Sequence, residues 1–189
     1  MQTEAELFHK LFAGGDHGYG LFDKGKFPNG DGTFRDYDFK HYAPTLETYL
    51  AHLEGKISMG IVPITHAGLT KLGVLDIDDH KKDKTKPVIP WSKEKYQKLL
   101  NKIKYLKLPL TVAKSKSGGA HCYLFLDKFY KAGDIKKILN KFEYALGYER
   151  DYLEKFPKQE TLMNLILLMD YCMLLRELDH YLIYINLIY

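Results

Sequence analysis

Apolar positions along the chain alternate between helical spacing and short unbroken runs, and the switches fall at glycine, proline or polar clusters. Residues 4–12 predict a short helix that stops before Gly14-Gly15. Residues 16–38 are polar, aromatic and glycine-rich with weak alternation, consistent with either a hairpin or a long ordered loop turning at Pro28-Asn29-Gly30. Thr45 then caps a helix with Leu46, Tyr49, Leu50 and Leu53 on one face, and Gly55 ends it. The runs Ile57–Ile64 and Leu72–Asp78 predict two strands, expected to pair as a hairpin through a turn at His66–Gly68. Pro87 and Pro90 keep the next stretch extended. Beyond it, Tyr96, Leu99, Leu100, Ile103 and Leu106 mark a helix over Ser92–Leu106. Strands at Leu110–Ala113 and His121–Leu126 follow, joined across Ser-Lys-Ser-Gly-Gly. Ile135, Ile138, Leu139, Phe142 and Leu146 line a last amphipathic helix, Asp134–Leu146, which Gly147 stops. A short strand, Tyr152–Phe156, precedes Pro157. The order predicts an α+β fold, with helices on one antiparallel or mixed sheet.

Residues 161–189 depart from this pattern. Apolar residues crowd more than one helical face and neither Gly nor Pro occurs, so a buried apolar helical tail is expected there. Asp170 and Arg176–His180 break it before about 18 uninterrupted apolar residues accumulate, and no membrane span is expected. Met1 leads into polar residues rather than a basic and then apolar stretch, so no signal peptide is expected, and a cytoplasmic setting is the expectation.

A length of 189 residues suits one buried domain, assigned to 1–160 with the tail attached. Within it, residues 12–56 form an N-terminal segment and 57–160 carry the motifs. Cys122 and Cys172 stand alone, which argues against a cysteine zinc site or a disulfide framework. The net charge of +4 is uneven: the tail holds one Arg against three acids, leaving +6, nearly all lysine, on residues 1–160. That balance is compatible with a polyanionic partner.

Two stretches carry the chemistry. In Gly73–Asp79, Asp76 and Asp78 lie two apart in an apolar strand, so both carboxylates share one face while Leu75 and Ile77 point the other way. Paired carboxylates on one face repel, and a hard divalent cation with oxygen ligands compensates them. In Ala113–Leu126, Lys114, Ser115, Lys116 and Ser117 lead through Gly118 and Gly119 to His121. Glycines let backbone amides approach an anion, and the Lys and Ser side chains add donors, so this turn is the candidate phosphate cradle. The Lys81–Lys86 run is a solvated loop or a path for a nucleic-acid backbone. The remaining histidines, including His17 and His66, show no ligand spacing in sequence.

These motifs, together with His52–Ile64 and with Leu153–Gln159 and its Phe-Pro-Lys-Gln, resemble the archaeo-eukaryotic primase superfamily. The similarity is greatest to the primase domain of TOTE conflict systems and their phage and CRISPR-associated relatives. It covers roughly residues 12–160 and carries three motifs in order. The resemblance implies an RRM-like catalytic core and a DNA primase/polymerase that adds nucleoside triphosphates to a strand on a DNA template and primer. It implies Asp76, Asp78 and Glu154 as ligands of two Mg²⁺ or Mn²⁺ ions, and His121 as a contact to the incoming phosphates. A prokaryotic or phage-encoded chain with a helicase or nuclease encoded alongside would fit the relatives. Where those relatives continue through a Gly- and Asn-containing stretch, this chain runs into Thr161–Leu175, as expected of a truncated, diverged or frameshifted end. Two alternatives stay open at this point. One is a degenerate module that holds nucleotide or nucleic acid without turnover. The other is a metal-dependent nucleotide-sugar transferase with its own Asp-x-Asp.

Overall fold

The structure is a computed structural model that describes residues 3–30, 32–78, 90–115, 118–161 and 173–174. Among these described residues, four helices and eight strands follow in the order α1 (Glu4–Leu11), β1 (Tyr19–Pro28), β2 (Phe34–Lys40), α2 (Leu46–Leu53), β3 (Ser58–Ile61), β4 (Leu69–Ile77), α3 (Lys93–Tyr105), β5 (Thr111–Lys114), β6 (Ala120–Lys131), α4 (Ala132–Ala145), β7 (Glu154–Phe156) and β8 (Met173–Leu174). They build an α+β fold with two four-stranded sheets of antiparallel pairs, ordered β2-β1-β3-β8 and β5-β6-β4-β7.

The second sheet carries the β-α-β-β-α-β order of a split βαβ unit, the four-stranded topology of RRM-type domains. Its central strands alternate between two cores. Leu75 and Ile77 of β4, Val112 of β5 and Cys122 and Leu124 of β6 pack on one face with Leu99 and Ile103 of α3 and Ile135 and Leu139 of α4. Leu72 and Val74 of β4 and Tyr123 of β6 pack on the other with Phe8, Phe12, Tyr49, Met59 and Ile61. The period of two thus sorts one strand between a helical layer and the N-terminal layer. Local signals set the helix starts. Thr3 and Glu6 form a capping box on α1, Thr45 and Thr48 do the same on α2, and the Ser92 hydroxyl accepts from Lys95 N–H at the start of α3; each cap contributes about 1 kcal/mol.

Two expectations are corrected. Residues 19–40 do form a hairpin, but β3 and β4 do not pair with each other. They sit in different sheets, β3 against β1 and β8, and β4 between β6 and β7. With both edges of β4 occupied, no backbone groups remain there for β3, and the strands form two sheets rather than one, α3 and α4 packing on the second and α1 and α2 with strands of both. In the C-terminal tail, Met173 and Leu174 pair with Ile61 and Gly60 as a short strand where a helix was expected. The remaining tail positions, 162–172 and 175–189, the lysine loop at 81–86, and Lys116 and Ser117 lie outside the described residues. No helix among the described residues is long and apolar enough to cross a membrane.

Candidate active site

Strand register brings the sequence-predicted residues together. On β4, Asp76 pairs with His121 of β6 on one side and with Glu154 of β7 on the other, so the three motifs form one cross-strand row. Directly opposed residues have Cβ atoms about 4.5–5.5 Å apart, within reach of a shared ligand. Asp76 falls in the alternation of Leu72 and Val74, on the sheet face turned to the N-terminal layer. Asp78, two residues further and just past the strand end, continues that face.

The row is polar and partly exposed. Nε2 of His121 lies 3.5 Å from Oδ1 of Asp76, with both side chains largely buried. Nδ1 of His121 and the hydroxyl of Tyr123 are 3.2 Å apart, and the Tyr123 ring packs edge-on against Phe12 and stacks on Phe125. The imidazole is thereby anchored to the core through Tyr123 while its other nitrogen faces the carboxylate. Lys158, from the Phe-Pro-Lys-Gln segment, forms an ion pair with Glu154 one turn of chain away. On the opposite face, burial and the Asp76 carboxylate push the Cys122 thiol up to about 12, so it stays protonated.

The β5–β6 turn sits against the end of β4. Ser115 N–H donates to Gly119 C=O at 3.0 Å and Gly118 N–H to Ser115 C=O at 2.9 Å. The Tyr96 hydroxyl of α3 reaches the carbonyls of Gly118 and Gly119, at 3.1 and 2.7 Å. Trp91 N–H donates to Gly118 C=O at 2.8 Å. The helix and its entry segment therefore fix the turn. Ser115 is buried and continues the face of Ala113, which is paired with His121 of the row, whereas exposed Lys114, paired with Ala120, falls with Val112 on the helix-side face. Gly119 is required for the close approach: a Cβ there would lie 2.2 Å from the Ile77 carbonyl oxygen and 3.3 Å from Asp78 Cα. Gly119→Ala is expected to force the turn away from Asp78 at a cost of about 1–3 kcal/mol, seen as a lower thermal midpoint and weaker triphosphate binding.

The donors of Asp76, Asp78 and Glu154 are all oxygen, which suits a hard divalent cation. Their carboxylates share a face but are not drawn as a set to within 4.8 Å of one another, a spacing that Asp16, His17 and His66 do meet. Those three were not picked out by sequence spacing. They come together because β1 and β3 pair antiparallel, with Tyr19 opposite Ile61, and the register between those strands is the signal that locates them. Burial, followed by the neighbouring His66, lowers the pKa of His17, against an upward pull from Asp16.

Among protein-family models, the Archaeo-Eukaryotic Primase domain of the TOTE conflict system matches residues 6–167. No curated protein matches the sequence.

Proposed function

The chain belongs to the archaeo-eukaryotic primase family, in its TOTE conflict system branch, and on that premise we propose that it is a template-directed nucleotidyltransferase, a DNA primase/polymerase acting on nucleoside triphosphates. The observation that carries the proposal is the single row of Asp76, His121 and Glu154 across β6, β4 and β7, with Asp78 continuing its face. When bound, a pair of Mg²⁺ or Mn²⁺ ions supplies activation of the attacking 3′-oxygen and neutralisation of the pyrophosphate leaving group. Asp76, Asp78 and Glu154 would hold the pair. Lys158 pairs with Glu154 and offsets its charge. His121, braced by Tyr123, would contact a phosphate oxygen of the incoming nucleotide. Ser115, which continues the face of Ala113 and His121, would add a donor to the triphosphate, while Lys114 falls on the other sheet face. A partner of this kind is polyanionic, consistent with the excess of lysine on residues 1–160.

The experiment is extension of a labelled primer on a DNA template with Mn²⁺ or Mg²⁺ and nucleoside triphosphates. Extension that stops on addition of EDTA is expected. A nucleotide-sugar transferase would be indifferent to the template, and a degenerate module would bind triphosphate without extending; either outcome refutes the assignment.

A further inference from the structure

A second ligand cluster lies at the far end of β4. Asp16 and His17 belong to the connection between α1 and β1, and His66 to the turn between β3 and β4. One donor atom from each lies within 4.8 Å of the other two. The row at Asp76 is seven residues along the strand from Leu69, about 23 Å at 3.3 Å per residue, so the two groups cannot share an ion.

His17 supplies the independent observation. The residue is only 9% exposed, yet neither Nδ1 nor Nε2 has a hydrogen-bond partner. A buried imidazole with both nitrogens unmatched is costly, and a metal ion held with Asp16 and His66 would satisfy one of them. Its ring stands 4.5 Å, centroid to centroid, from that of His66. Two imidazoles that close, with a carboxylate beside them, form the donor set of a borderline transition-metal ion rather than of Mg²⁺.

The backbone on both sides is preorganised. Gly68 N–H donates to Thr65 C=O at 3.0 Å and Thr65 N–H to Leu69 C=O at 2.8 Å, while the Thr65 hydroxyl accepts from Leu69 N–H at 3.2 Å, closing the turn that presents His66. Gly15 N–H donates to Val62 C=O at 2.7 Å, tying the other loop to the same segment. A Cβ on Gly15 would lie 2.3 Å from both His17 Cε1 and the Ile64 carbonyl oxygen, so only glycine lets the ring fold back there. Ligands at about 2.0–2.1 Å in a tetrahedron stand about 3.4 Å apart. Exposed Asp16 and His66 side chains can close that remaining gap by small rotations.

We infer that Asp16, His17 and His66 form a Zn²⁺-type site, completed by a solvent ligand, that clasps the α1–β1 loop to the β3–β4 turn. The site is independent of the nucleotidyl-transfer reading, since none of its residues belongs to that row.

The test titrates Zn²⁺ alone into chelator-stripped full chain against a chromophoric competitor, with Co²⁺ absorption as a second readout of the ligand field. One equivalent is expected to bind and to raise the thermal midpoint. Losing an outer-shell partner already weakens metal affinity 10–100-fold, so His66→Ala and, separately, Asp16→Ala are expected to weaken Zn²⁺ binding by about 100-fold or more. Both side chains are exposed, so these variants should fold. Asp76→Asn/Asp78→Asn should bind Zn²⁺ as the unmodified chain does. Absence of stoichiometric binding, or undiminished binding in both the His66 and Asp16 variants, would overturn the inference.

Discussion

Replacing Asp76 and Asp78 together by Asn is expected to lower primer extension by at least about 10³-fold while leaving the fold intact. Losing one transition-state stabiliser costs about 10²–10³-fold, and this substitution removes both carboxylates of the Asp-x-Asp motif and with them two metal ligands. The same change removes two like charges that share one sheet face. The thermal midpoint should therefore hold or rise, as happens where a site is built at the expense of stability. Near-UV circular dichroism and a melting curve, taken beside the extension assay, check both halves. A variant that extends primers within tenfold of the unmodified chain would remove these carboxylates from the chemistry.

The second large effect is on folding. Glu143 of α4 is 1% exposed and accepts three hydrogen bonds: from Leu153 N–H at 2.7 Å, from Asp151 N–H at 3.2 Å and from the buried Lys155 ammonium at 2.8 Å. It thus fixes the segment that leads into β7 from behind, and β7 carries Glu154 on its other face. Asp151 itself has φ 58, a conformation that a non-glycine residue holds only with such support. Glu143→Ala leaves two amides without their partner and the buried ammonium with only the exposed Asp151 carboxylate, 3.5 Å away, a loss of about 3–5 kcal/mol. For a chain of this size that corresponds to a thermal midpoint lower by roughly 10 °C. Glu143→Leu combined with Lys155→Met removes the orphaned charge and should recover part of the loss, but not the two amide bonds. Thermal or urea unfolding of the three proteins measures this, and a single variant as stable as the parent would contradict it.

The sequence makes some of this legible and conceals the rest for physical reasons. Helix limits were readable because Thr45, Ser92, Gly55 and Gly147 act within a turn of where they stand. The alternation around Asp76 was readable too, since a period of two needs no tertiary information. Pairing is different. The turn at Thr65–Gly68 is real and closes by local hydrogen bonds, yet its flanking strands diverge into separate sheets because β6 and β7 already occupy both edges of β4. Motif order suggested that Asp76, His121 and Glu154 work together, but their alignment in one row is a matter of register, which depends on strands distant in sequence. Glu143 gives no signal, because a glutamate on an amphipathic helix reads as exposed until its partners Asp151, Leu153 and Lys155 are known. Asp16, His17 and His66 escaped for the same reason: their meeting depends on the β1–β3 register.

The most direct test of the central claim is to change one template base next to the primer end and record which nucleotide the full chain adds with Mn²⁺. Addition that switches to the complement of the new base, and that is lost in Asp76→Asn/Asp78→Asn, is the predicted result. Addition that ignores the template base, or that persists without these carboxylates, would contradict template-directed transfer at the Asp76 row.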